Sequence, residues 1–133
     1  MIVVDATVLI AHLNSADSCH DRAEALLLEA ADYPLAASSI TLAEVLVGPA
    51  RAGRLGAARA ALRALEVEEV PVPVEAAERL AVLRADTGLK LPDCCVLLAA
   101  EDALAEAVLT FDDRLMKRAQ ALGYGWNPGT HSS

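Results

Sequence analysis

Aromatic side chains are scarce in this chain: one Phe, one Trp and two Tyr among 133 residues. So few rings leave little for stacking nucleobases, the usual device of proteins that coat single strands. Positive charge is scarce too, with 11 Lys and Arg against 19 Asp and Glu, a formal net charge of −8. That argues against a general nucleic-acid coat protein, which needs a basic surface. It leaves room for an enzyme that grips phosphate through bound cations, because such ions invert the local charge. Cysteine is limited to Cys19, Cys94 and Cys95, with neither a C-x-x-C pair nor zinc spacing. They are expected to be free, buried or half-buried thiols. No apolar run approaches the ~20 residues of a membrane span. The apolar start MIVVDATVLIAHL lacks a basic region and carries Asp5 inside it, which fits a signal peptide poorly. A cytoplasmic location is the expectation. No serine lies in a nucleophile elbow, and His12, His20 and His131 have no carboxylate at readable spacing, so a catalytic triad has no support.

What is abundant is apolar: 55% of the residues, above the ~45–50% usual for globular chains. A chain of this length has enough of it for one core. The expected organisation is a single domain over residues 1–125 and a short tail over 126–133. Ile2–Val4 reads as a strand apolar on both faces, as in a parallel sheet. Helices are expected at Ala6–Leu13, from about Asp17 to Ala31, from Thr41 to about Leu46 with a stop near Gly48 and Pro49, and at Arg54–Glu66. Leu35–Ser38 is a second strand candidate. Glu69–Val74, with two prolines, fits an edge strand or connector. Val74–Thr87 reads as a helix capped by Gly88. A further helix opens at Leu91, with Pro92 in its first turn and Asp93, Val96, Leu97, Ala100 and Leu104 on one stripe. Ala107–Phe111 is a short apolar strand, and Arg114–Leu122 a last helix stopped by Gly123. Strands alternating with helices predict an α/β fold with a central, mostly parallel sheet of four to five short strands.

In such a fold the site lies beyond the carboxyl ends of the strands. Four acids are expected there. Asp5 closes the first strand and Asp112 the last. Glu44 and Asp93 lie in the first turns of their helices. Each has an ordinary structural explanation: Thr41 and Glu44 fit a capping box, Asp112 a helix N-cap, Asp93 a partner of the helix dipole, Asp5 a turn residue. Together they would repel unless a cation sat between them, and that many oxygen ligands suits Mg²⁺ or Mn²⁺. Thr7 and Thr110 place hydroxyls two residues from Asp5 and Asp112, where they could orient the carboxylates. Arg51 and Arg114 are candidates for meeting a phosphate backbone, although single basic residues on helices are more often solvated.

In that order, VVDATVLI, SSITLAEVL, LPDCCVLLAA and VLTFDDRL resemble the four acidic motifs of the PIN-domain nucleases. The short chain resembles the VapC-type toxins of bacterial type II toxin–antitoxin pairs, and the likeness runs from Ile2 to about Gly125. The resemblance implies a PIN-like fold. It also implies a metal-dependent endoribonuclease that hydrolyses phosphodiester bonds of single-stranded RNA and leaves a 3′-hydroxyl and a 5′-phosphate. Its metal-binding and catalytic acids fall on Asp5, Glu44, Asp93 and Asp112, and its hydroxyl partners on Thr7 and Thr110. Mg²⁺ or Mn²⁺ as cofactor, a cognate antitoxin protein and a homodimer are further implications. The paired cysteines after Asp93 depart from the motif only where any small or aliphatic residue would serve. Two other readings remain: a non-catalytic interaction module on the same fold, and aspartyl-phosphate chemistry as in receiver domains or phosphatases. The second is disfavoured, because Thr7 stands where a second acid is needed and no lysine follows AVLTF.

Overall fold

The computed structural model describes residues 1–128; His131 lies outside them. Four short strands, β1 (Ile2–Val4), β2 (Leu35–Ser38), β3 (Glu68–Val70) and β4 (Ala107–Leu109), form one sheet in the order β3-β2-β1-β4. Every neighbouring pair is parallel, with Val3 in register with Ala36 on one side and Val108 on the other. β1, β2 and β4 are buried along their whole length, as the absence of polar alternation predicts. β3 is the exposed edge, and Pro71 and Pro73 directly follow it, so no further pairing continues there.

Parallel strands need crossovers, and helices supply them: α1 (Ala6–Leu13), α2 (His20–Glu29), α3 (Ser39–Arg51), α4 (Leu55–Ala64), α5 (Ala77–Thr87), α6 (Leu91–Asp102) and α7 (Asp113–Ala121). Because side chains alternate along a strand, the sheet feeds two cores. Ile2, Val4, Leu109 and Ala37 meet Val8, Leu9, Leu27 and Leu62 on one face. Val3, Ala36 and Val108 meet Cys94, Leu97, Ala100 and Leu115 on the other. The chain leaves β1 into the first layer and β4 into the second. The switch point of the sheet therefore lies between β1 and β4, and beyond the strand ends there is where open α/β sheets bind their ligands.

The structure corrects several expected boundaries. α3 does not stop at Gly48; it runs through Pro49 to Arg51. An interior proline removes one N–H, but here it falls near the helix end. The last turn is then closed by Ala52 N–H to Gly48 O at 3.1 Å, Arg54 N–H to Pro49 O at 2.8 Å and Gly53 in the left-handed region at φ 69°. The start also moves: Ser38 is the N-cap and its Oγ accepts from Ile40 N–H at 3.2 Å. Glu44 consequently sits in the second turn rather than the first, and the Thr41–Glu44 capping box does not form. α2 begins at His20 instead of Asp17, whose side chain accepts from Cys19 N–H in the preceding turn at 2.8 Å. The strand over residues 107–111 ends at Leu109, leaving Thr110 and Phe111 beyond the sheet. His12 does have a carboxylate partner, Glu24, brought across from α2.

α6 departs most from its expected stripe. Cys94 through Ala100 are all buried, because the helix is walled by the sheet, α3 and α5. A helix in such a place is apolar all round. Leu104, expected inward, is 86% exposed, since α6 ends at Asp102 and Leu104 turns the chain at φ 52°. Leu97→Ala should therefore lower unfolding stability by about 3 kcal/mol, and Leu104→Ala should change it by less than about 0.5 kcal/mol. Urea denaturation of the two variants beside the parent checks both.

Candidate active site

Asp5 is the first residue after β1 and is only 4% exposed. A carboxylate there must be compensated or its burial would be expensive. Two hydroxyls do this: Thr7 Oγ1 donates to Asp5 Oδ2 at 2.9 Å and Thr110 Oγ1 donates to the same oxygen at 2.8 Å. Each threonine also accepts a backbone N–H, Thr7 from Phe111 and Thr110 from Asp112, both at 3.0 Å. Two short relays, N–H to hydroxyl to carboxylate, thus tie the segment after β1 to the segment after β4. Asp5 N–H to Leu109 O, at 2.9 Å, reinforces the same junction. Oδ1 of Asp5 receives no hydrogen bond from the described residues.

The other acids surround it. Glu44 comes from α3, on the solvent side of that helix. Its carboxyl is pushed above the usual range, first by partial desolvation and then by the charges of Asp5 and Asp93. Asp93, in the first turn of α6, is pushed up by desolvation and then by Asp5 and Asp112, while Lys90 and Arg114 pull it down. Asp5 and Asp93 thus act on Glu44, and Asp5 and Asp112 act on Asp93. Asp112 has a structural occupation of its own. Its Oδ1 caps α7, accepting from Arg114 N–H at 2.9 Å and Leu115 N–H at 3.0 Å. Asp113 follows as an exposed first-turn acid. Arg114 reaches across to Gly88 O at 3.4 Å and lies close enough to act on Asp93. Arg51 lies in the last turn of α3, about two turns beyond Glu44 on the same helical face, and among the described residues no hydrogen bond or ion pair joins it to the acids.

Among the described residues, no three His, Cys, Asp or Glu side chains close into a ready-made metal cage. The donor chemistry nevertheless fits a hard cation: carboxylate and hydroxyl oxygens, with like charges crowded enough to disturb one another. Mg²⁺ keeps several waters and is commonly held by one or two carboxylates plus substrate phosphates rather than by an all-protein cage. The neighbouring thiols do not compete as ligands. Cys94 and Cys95 are free, and burial pushes both upward, helped for Cys95 by Cys94 and Glu44. Lys90 stands at the start of the same helix. Its position as the residue capping α6, next to Asp93, depends on where that helix starts.

Residues 2–122 match the PIN domain. The chain belongs to the PIN-domain family. Solved structures of similar fold extend the likeness along most of the chain. A toxin–antitoxin complex from Klebsiella pneumoniae superposes with a TM-score of 0.68 at 27% identity, over 84% of this chain and 87% of that one. VapC20 from Mycobacterium tuberculosis, a sarcin–ricin loop cleaving toxin, gives 0.71 at 21% identity, over 93% and 96%. VapBC2 from Rickettsia felis, bound to a DNA fragment from its promoter, gives 0.67 at 19% identity, over 90% and 93%. At the last two identities the likeness concerns the fold. No curated protein matches the chain. PIN nucleases generally use divalent metals.

Crowding of the acids has a measurable consequence. With Glu44 and Asp93 titrating above their unfolded values, the folded protein binds more protons than the unfolded chain in that window. The pair's contribution to stability therefore falls as pH rises from the ordinary carboxylate range through the raised values. In EDTA, Asp93→Asn should unfold at a higher temperature than the parent at pH 7 and lose that advantage toward pH 4. Adding millimolar Mg²⁺ or Mn²⁺ should raise the melting temperature of the parent more than that of Asp93→Asn. Scanning fluorimetry across pH and metal concentration reads both effects.

Proposed function

We propose that this PIN domain is a metal-dependent endoribonuclease, the toxin of a toxin–antitoxin pair, cutting single-stranded RNA in the cytoplasm. The observation that carries the reading is the Asp5 carboxylate, buried at the switch point and held by two hydroxyls, with three more acids around it. A site designed only for stability would not gather like charges around a buried carboxylate. Family membership and the toxins of similar fold agree with it. Residues 1–125 would act as one catalytic domain.

In this reading Asp5, Glu44, Asp93 and Asp112 hold Mg²⁺ or Mn²⁺. Such an ion supplies charge stabilisation at the phosphoryl oxygens and a water acidic enough to attack at neutral pH. Thr7 and Thr110 fix the direction of the Asp5 carboxylate. Asp112 serves both the site and the α7 cap, which makes its position depend on the helix it starts. Arg114, beside Asp93, would meet a phosphate of the strand, with Lys90 next to it and Arg51 farther along α3. An antitoxin would cover the site, and a basic segment of it would complement the acids and the net charge of −8. A homodimer is part of the same proposal.

The non-catalytic alternative has its own observations: Asp112 caps α7 as a purely structural aspartate would, and among the described residues no three acids close into a cage. One experiment separates the two readings. Purified parent, Asp5→Asn and Asp93→Asn are incubated with a mixed RNA pool in Mg²⁺, Mn²⁺ or EDTA. Cutting by the parent alone, abolished by EDTA and lowered at least about a hundredfold in each variant, is expected. That factor corresponds to losing about 3 kcal/mol of transition-state stabilisation. Equal activity, or equal inertness, in all three proteins would return the acids to structural roles.

A further inference from the structure

The scarce aromatic residues are not scattered. Phe111, Tyr124 and Trp126 line one cleft of about 280 Å³. Tyr33 meets Trp126 edge to face, with ring centroids 5.8 Å apart. The whole aromatic complement of the chain is thus gathered in one place. The cleft runs between α2 and α7 beside β4, with Leu26 and Met116 completing its apolar wall. Its far side is built by the segment after α7: Val108 N–H donates to Tyr124 O and Tyr124 N–H to Ala119 O, both at 2.8 Å. Trp126 Nε1–H donates to Glu29 at 3.3 Å, which fixes the indole.

Two features connect this cleft with the acids. Thr110, whose hydroxyl holds Asp5, also lines the cleft, and Phe111 lies between Thr110 and Asp112 while its N–H bonds Thr7. Arg22 stands at the cleft with its guanidinium 4.6 Å from the Phe111 ring centroid, a cation beside a ring in a strongly acidic protein. The volume is near the lower end for small-ligand sites, which start at roughly 300 Å³. One planar heterocycle fits such a space and a helix does not. Tyr124 and Trp126 lie just beyond the residues matched to the PIN domain, and Phe111 lies within them.

We propose that the cleft is a base-binding subsite, taking one unpaired nucleobase of the RNA strand adjacent to the bond cut at the acids. The base stacks on the rings, and Arg22 meets the flanking phosphate. Stacking is tolerant of sequence because every base has a π-face, while Glu29 and Gln120 at the rim provide polar atoms for a base edge. The inference rests on the ribonuclease reading for its substrate, and its test is independent of cutting.

Trp126 is the chain's single tryptophan, so its emission reports the cleft directly. Full-length protein in EDTA is titrated with end-labelled mixed-sequence RNA octamers and with an abasic strand of equal length, and tryptophan emission and label anisotropy are followed together. The octamers should quench Trp126 as they bind, and the abasic strand should not. Phe111→Leu should weaken octamer binding about tenfold and leave abasic binding unchanged. Arg22→Gln, on an exposed helix face, should weaken both strands, and it keeps the test available if Phe111→Leu does not fold. Binding by anisotropy with unchanged Trp126 emission, or parent-like affinity in the variants, overturns the subsite, as does failure of the octamers to bind. Metal-dependent cutting without quenching leaves the nuclease reading standing and removes only the cleft; quenching without cutting under Mg²⁺ or Mn²⁺ does the reverse.

Discussion

The junction between β1 and β4 depends on one carboxylate. Asp5 is buried where an unpaired charge would be heavily penalised, and the penalty is met by two hydroxyls that are themselves oriented by backbone N–H groups across the junction. The arrangement requires β1 and β4 to be neighbours, in parallel, with their ends level; the pairing of Val4 with Leu109 provides this. Sheet order, register and site geometry are therefore one constraint. A slip of one residue would exchange the faces of β4 and remove Thr110 from Asp5.

Around that fixed acid the structure tolerates charges that oppose one another. Glu44 and Asp93 are both held above their ordinary range by burial and by neighbouring acids. Lys90 and Arg114 offset only part of this for Asp93. The acidic site is thus less stable than it would be with neutral side chains, a common condition of sites kept for chemistry. The robust parts lie elsewhere, in two apolar layers and in α6, whose buried run holds Asp93 at its first turn.

The aromatic residues show how composition and position differ as information. Counted, they argue against nucleobase stacking; placed, three of them line a single cleft that Thr110 also lines, and the fourth meets Trp126. The pairing that brings Tyr33 to Trp126 spans most of the chain. No periodicity encodes such a contact, because it depends on where the segment after α7 lies against the edge of β4.

The sequence by itself determined the element types, the parallel sheet, the free cysteines and the order of the acidic motifs. Local propensity and apolar patterning act over a few residues, and the acids sit within short motifs. It misjudged the α3 end, because a late proline removes one bond while a left-handed Gly53 closes the helix. It also read a one-sided stripe in α6, where burial on all sides is set by the walls around the helix. Tertiary structure alone decided that Thr110 joins Thr7 on Asp5, that His12 pairs with Glu24, and that Phe111, Tyr124 and Trp126 line one cleft while Tyr33 meets Trp126. Each of these joins residues whose separation along the chain carries no signal, and only packing of the strands and helices sets the distance between them.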